Sequence, residues 1–139
     1  MLSETGKDVG NMPGAGAAGG LGGAFMAYFD AAGVSGIERI LSLASFDSII
    51  EGAGFIVTGE GKSDIQTLAG KVPIGVLRRA HNVPVILISG RLEDIGALRE
   101  AGFSKMVEVS PKNLPLEKAT ARPAAEANLR RAVVEAFCD

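Results

Sequence analysis

The apolar positions change their spacing partway along the chain. Between Ala15 and Ala32 the residues Leu21, Ala24, Phe25, Tyr28, Phe29 and Ala32 recur at i, i+3, i+4, i+7, i+8 and i+11, one face of a helix. Gly33 predicts its stop. Ser35 is a candidate N-cap for a second helix carrying Ile37, Ile40, Leu41 and Leu43. Asp47 is a candidate cap for a short helix through Ile49 and Ile50. Met1 to Pro13 is polar and without period, which predicts a loop or arm. From Phe55 the apolar residues come in short runs instead. Phe55-Ile56-Val57-Thr58, ended by Gly59, and Val83 to Ser89, ended by Gly90, read as buried strands. Lys105 to Val109 is a third. Between them lie helix signals: Asp64 before Ile65, Leu68 and Ala69; Pro73 before Ile74, Leu77, Arg78 and Ala80; Leu92 to Ala101 with Ile95 and Leu98 inward. Pro123 opens a last helix with Ala125, Leu129, Ala132, Val133, Ala136 and Phe137 on one side.

Strand, helices, strand, helix, strand, helix is the order of a parallel sheet with crossover helices. The expectation is an α/β fold: a glycine-rich helical segment over residues 1–50, then a Rossmann-like parallel sheet with flanking helices over residues 51–139. Three strands make a small sheet. Strands this apolar need cover on both faces, so the segment reads as half of a larger sheet or as a piece that associates with another chain.

Composition narrows the chemistry. The chain has 139 residues, 47% of them hydrophobic, which is enough for one core. Lys and Arg number 14 against 16 Asp and Glu, and this slight acidic balance argues against a nucleic-acid partner. A single Cys, Cys138, and a single His, His81, exclude a disulfide framework and any site built on several thiolates or imidazoles. No apolar run approaches the ~20 residues of a membrane span, and the start of the chain carries no leader pattern. The expected setting is the reducing cytoplasm, with no membrane partner. Ten of the 19 glycines fall in the first 36 residues and six between Gly14 and Gly23, so the excess marks one local feature.

In open parallel sheets ligands bind beyond the carboxyl ends of the strands. The sequence puts Thr58-Gly59-Glu60-Gly61-Lys62-Ser63-Asp64 after the first strand, Ser89-Gly90-Arg91 after the second and Ser110-Pro111-Lys112-Asn113 after the third. Gly59 and Gly61 allow a ligand close to the backbone. A helix opening at Asp64 favours phosphate, and Glu60 and Asp64 beside it suit Mg²⁺ or an acceptor hydroxyl. The bland alternative is an ordinary strand-to-helix turn with Asp64 as its cap. Gly61-Lys62-Ser63 is not a P-loop, because Ile56 stands where that motif needs a glycine. Gly14-Ala15-Gly16-Ala17-Ala18-Gly19 fits G-x-G-x-x-G, with Glu38 about 20 residues on, but no strand precedes it. It reads equally as close helix packing or as anion binding by backbone N–H groups. Lys71 reads either as a cation at the same edge or as a surface lysine. His81, Arg78-Arg79 and Arg130-Arg131 read as solvated.

These glycine motifs carry a resemblance. Pro13-Gly14-Ala15-Gly16-Ala17-Ala18-Gly19-Gly20-Leu21-Gly22, Thr58-Gly59-Glu60-Gly61-Lys62-Ser63-Asp64-Ile65-Gln66-Thr67-Leu68-Ala69-Gly70-Lys71 and Asn113-Leu114-Pro115-Leu116-Glu117-Lys118-Ala119 resemble the bacterial glycerate kinases of glycerate utilisation, in the order that family has them. The resemblance covers nearly the whole chain but only the C-terminal part of the family pattern. It differs where Lys62 and Ser63 replace an Arg and an aliphatic residue before the Asp.

The resemblance implies a fragment of a two-domain glycerate kinase fold with its active site in the cleft. It implies ATP-dependent phosphorylation of D-glycerate to 2-phosphoglycerate, or to 3-phosphoglycerate. Glu60 and Asp64 are then candidates for Mg²⁺ or the hydroxyl proton. Lys62 and Lys71 are candidates for phosphate or the glycerate carboxylate. Gly14, Gly16, Gly19 and Gly20, with Gly59 and Gly61, are candidates for phosphate or substrate contact. Two alternatives stand beside this reading: a catalytically incomplete fragment that self-associates, as a homo-oligomer or with a missing N-terminal part, and a simple anion- or nucleotide-binding module.

Overall fold

Val85, Ile86 and Leu87 lie at 1%, 7% and 0% exposure, the buried middle of a three-stranded parallel sheet. The structure is a computed structural model describing residues 2–138. Its sheet runs in the order β1 (Ile56–Ser63), β2 (Val85–Leu92), β3 (Lys105–Glu108). The register pairs Ile56 with Val85, Thr58 with Leu87 and Glu60 with Ser89, and Leu87 in turn with Met106. Burial on both faces explains why β2 reads as an unbroken apolar run.

The chain divides into two compact units, Met1–Arg39 and Ile40–Asp139. The first holds α1 (Leu2–Thr5), where the sequence predicted loop, and α2 (Ala17–Phe29). Its small core is Val9, Ala15, Met26 and Ala27. The helical face expected to point inward does not. Leu21, Phe25, Tyr28 and Phe29 are 48–74% exposed, and Gly23, Met26 and Ala27 are buried instead. The reason is close approach: the Gly23 N–H donates to Ala15 O at 2.8 Å, and a Cβ on Gly22 would collide with Gly14 O. Only the glycine face lets the loop lie on the helix, so the larger side chains turn away from it.

α3 (Gly36–Leu43) follows Ser35 as expected, but of its apolar residues only Leu41 is buried. α4 (Phe46–Ile49) begins one residue before Asp47, with Ser45 at its N-cap, so Asp47 is not the cap. Its carboxylate instead accepts from Arg79 Nε and Nη2 at 3.0 and 2.7 Å. After β1 come a 3₁₀ turn (Ile65–Ala69) and α5 (Val72–Arg79), which packs on β1. α6 (Ile95–Glu100) is shorter than predicted because Leu92 ends β2. Leu98 is fully buried, but Ile95 is exposed rather than inward. α7 (Leu116–Thr120) was not foreseen, and α8 (Arg122–Phe137) starts beside Pro123. Ala132 is the buried point of α8, and Leu129 lies exposed at its edge. Phe137 stacks on Phe55 with ring centroids 5.6 Å apart, which ties the end of α8 to the start of β1.

The main correction concerns the strand ends. Gly59 and Gly90 read as terminators, yet β1 continues to Ser63 and β2 to Leu92. A Cβ on Gly59 would run into Ile88 O, and one on Gly90 into Gly61 O. The glycines are there because the two backbones approach closely, not because the strands stop. Glu60, Gly61 and Lys62 therefore sit on a strand rather than in a loop.

Candidate active site

Glu60 lies on β1, two residues beyond buried Thr58. Three residues further on, Ser63 ends the strand and Asp64 opens the 3₁₀ turn. Asp64 caps that turn as predicted: its Oδ1 accepts from Gln66 N at 2.9 Å, while its own N–H donates to Thr67 Oγ1 at 3.1 Å. Gly70 closes the turn, and Lys71 stands at the N-cap of α5. This short path brings four expected residues to one place. Lys71 Nζ is 3.8 Å from Glu60 Oε2 and 3.8 Å from Asp64 Oδ1. Lys62 Nζ is 3.4 Å from Asp64 Oδ2 and 2.9 Å from Glu93 Oε2.

The two lysines are not equivalent. Lys62 is engaged by Glu93 and then Asp64, which hold its ammonium above its ordinary pKa. Lys71 is close to both carboxylates but beyond hydrogen-bond length from each, with 41% of its side chain exposed. Of the two lysines it is the less tightly paired. Partial burial pushes the Asp64 carboxyl up, but the Gln66 N–H, the Lys62 ammonium and then the Lys71 charge outweigh it. Asp64 therefore titrates below the usual carboxylate value and is ionised at neutral pH.

Gly59 faces Ile88 O across the ladder, whereas Gly61 would meet nothing within 4 Å if it carried a Cβ. Gly14, Gly16, Gly19 and Gly20 belong to the other compact unit. There Ala18, Gly19 and Gly20 take φ values of +50°, +67° and +98°, an interruption inside α2 that glycine makes cheap. Gly20 N–H already donates to Gly16 O at 3.3 Å.

Glu60 and Asp64 are the residues that could hold Mg²⁺. Two carboxylates offer hard oxygen ligands, and among the described residues no cluster of three or more His, Cys, Asp or Glu side chains forms a metal cage. An ion that keeps its waters and shares substrate phosphates needs only one or two carboxylates.

A sequence model of the glycerate kinase family matches residues 1–138. The chain belongs to the glycerate kinase family. It is 42% identical over 119 residues to a glycerate kinase of Halalkalibacterium halodurans, covering 84% of this chain and 31% of that protein. It is 40% identical over 121 residues to a glycerate kinase of Bacillus subtilis, 85% of this chain and 31% of that one. It is 41% identical over 105 residues to the glycerate 2-kinase of Escherichia coli, 73% of this chain and 28% of that one. The chain thus spans under a third of the length of these relatives.

For this glycerate kinase family member, the sequence reading missed residues around the carboxylates. Ser63, Thr67 and Ser89 are buried hydroxyls: the first two lie on the Glu60 carboxylate, and Ser89 bonds Ser63 and the Glu60 carbonyl. Glu93 holds Lys62, and Asp94 Oδ2 accepts from Ile65 N at 3.0 Å, so the turn after β2 locks the turn after β1. Arg91 donates to Lys112 O and Leu114 O at 3.1 and 2.9 Å and fixes the segment after β3. A signal for Thr67 was present: Asp-x-x-Thr at a helix start is a capping-box spacing.

Proposed function

We propose that the chain supplies the catalytic corner of a cytoplasmic glycerate kinase, which transfers the γ-phosphoryl group of ATP to a hydroxyl of D-glycerate. The observation that carries this reading is Lys71 Nζ standing 3.8 Å from both Glu60 Oε2 and Asp64 Oδ1 at the carboxyl end of β1. An ammonium standing between two carboxylates suits a reaction whose catalysis is mostly positioning and charge neutralisation.

In this reading the glycerate hydroxyl oxygen bonds to the γ-phosphorus as the bond to the β,γ-bridging oxygen breaks, and ADP leaves. The hydroxyl proton passes to the Asp64 carboxylate. Lys71 balances charge on the phosphoryl oxygens, and Lys62 holds Asp64 in place. Gly61 leaves room for the phosphate, with Gly59 behind it on the strand. Within the first compact unit, the stretch carrying Gly14, Gly16, Gly19 and Gly20 is a separate candidate for phosphate or substrate contact. Glu60 and Asp64 would hold Mg²⁺, which when bound neutralises the β- and γ-phosphate charge. The favoured product is 2-phosphoglycerate, by analogy with the 2-kinase of Escherichia coli; 3-phosphoglycerate is the alternative.

A second reading has its own support. Leu21, Phe25, Tyr28 and Phe29 are exposed on one face of α2, and β1 is an edge strand with Val57 48% exposed. Such surface favours association, with a second copy or with the remaining portion of the family fold.

The test is phosphorylation of D-glycerate with ATP and Mg²⁺, read by ³¹P NMR of the product. It is run on the 139-residue chain and on the chain completed by the family's N-terminal portion, in cis or in trans. The completed enzyme is expected to make 2-phosphoglycerate. A completed, folded enzyme that makes neither phosphoglycerate would overturn the kinase reading.

A further inference from the structure

The two oxygens of the Glu60 carboxylate have different surroundings. Oε1 lies 2.6 Å from Thr67 Oγ1 and 3.0 Å from Ser63 Oγ. Oε2 has Lys71 Nζ at 3.8 Å. A carboxylate oxygen has two lone-pair sites, so the two hydroxyls fill those of Oε1. What else each hydroxyl touches sets where its proton goes. Thr67 Oγ1 accepts the Asp64 N–H at 3.1 Å, so its own proton is left for Glu60. Ser63 Oγ lies 3.0 Å from Ser89 Oγ as well as from Glu60 Oε1, and Ser89 gives its own proton to the Arg91 and Glu60 carbonyls at 2.9 and 3.2 Å, so the Ser63 proton is shared between Ser89 and Glu60. Ser63 and Thr67 are fully buried and Ser89 is 1% exposed, so no solvent competes for these bonds. Capping alone does not require this arrangement, because the Asp64 side chain already satisfies Gln66 N.

Resting on the kinase reading, we infer that Thr67 and Ser63 are positioning residues for the reaction: they pin Glu60 by Oε1 and so turn Oε2 toward the Lys71 ammonium. They touch neither substrate nor phosphate. Thr67 is the stronger holder, since its bond is shorter and its proton has one destination. A shift of about 1 Å in a catalytic group costs on the order of a hundredfold in rate. Freeing Glu60 would therefore be felt at Lys71 without any loss of the ammonium itself.

The test compares Thr67→Val, Thr67→Ser and Glu60→Gln by two readouts. The first needs no substrate: the rate at which Lys71 Nζ is acetylated by dilute acetic anhydride, followed by mass spectrometry against the other lysines. Glu60→Gln is expected to speed labelling of Lys71, Thr67→Val to speed it similarly, and Thr67→Ser to restore the wild-type rate. The second is glycerate phosphorylation by the completed enzyme. There Thr67→Val is expected to lower kcat by about ten- to a hundredfold with KM for glycerate little changed, and Thr67→Ser to recover most of kcat. Wild-type labelling of Lys71 in a folded Thr67→Val protein would overturn the inference. So would wild-type labelling in Glu60→Gln, since Glu60 would then not govern Lys71. Should the completed wild-type enzyme fail to phosphorylate glycerate, the kinase reading falls, and the labelling series still decides whether Thr67 acts through Glu60.

Discussion

Lys71 Nζ lies 3.8 Å from Glu60 Oε2, although the two residues sit on different elements, β1 and the start of α5. The 3₁₀ turn between them makes this possible by folding the chain back over the end of the strand. Lys71 is 41% exposed and stands beyond hydrogen-bond length from Glu60, so the pair contributes little to stability.

The first prediction follows from that balance. Lys71→Met in the completed enzyme should lower kcat/KM on the order of a hundredfold or more, the usual effect of removing one group that stabilises transition-state charge. The melting temperature should barely move. Steady-state kinetics paired with a thermal melt checks both halves.

The second concerns the sheet. Leu87 is fully buried at the centre of β2, and Leu87→Ala should cost about 2–5 kcal/mol in a urea titration. The amides of Val85, Ile86 and Leu87 should exchange among the slowest in the chain. Exchange within minutes would contradict a central β2.

The third separates two glycines two residues apart. Gly59→Ala places a methyl against Ile88 O and should destabilise the β1–β2 pairing. Gly61→Ala meets nothing within 4 Å and should leave the urea midpoint close to wild type, while weakening ATP binding if the phosphate lies there. Comparing urea midpoints and nucleotide affinity for the two variants checks this.

Much of this was legible from the residues. The three strands, the Asp64 cap and the Pro-initiated helices at Val72 and Arg122 follow local rules, because each is decided by its neighbours in sequence. Where strands stop was not legible at Gly59 and Gly90, since a glycine that ends a strand and one that lets two strands approach look alike in one dimension. The inward face of α2 was misread for a similar reason. Hydrophobic period favours Leu21 and Phe25, but the backbone contact at Gly22 and Gly23 decides the packing. Ser89 reaches Glu60 and Ser63 only through the β1–β2 register, which no periodicity encodes, whereas Ser63 and Thr67 meet Glu60 along the strand and the turn that follows it.

The fourth prediction is the acid limb of stability. Arg79, against a smaller opposing effect of burial, and then His81 hold the Asp47 carboxyl at about 2, down from 3.8. A lowered folded-state pKa gives stability that is fully present above the unfolded value and lost as pH falls through the folded one. Between pH 3.8 and about 2 the protein should therefore lose stability, and Asp47→Asn should flatten that limb. Asp64, also lowered, acts in the same direction. Urea midpoints measured across this range, in wild type and Asp47→Asn, check the sign.

The most direct measurement of the central claim is kcat for glycerate phosphorylation by the completed enzyme carrying Asp64→Asn. Asn still accepts the Gln66 N–H and caps the turn, so folding should survive. It neither takes up the hydroxyl proton nor carries the charge that faces Lys62 and Lys71. The account predicts a fall in kcat on the order of a hundredfold or more, with an unchanged thermal melt at neutral pH. Wild-type kcat in a folded Asp64→Asn enzyme would remove Asp64 from the reaction and contradict the site proposed at the end of β1.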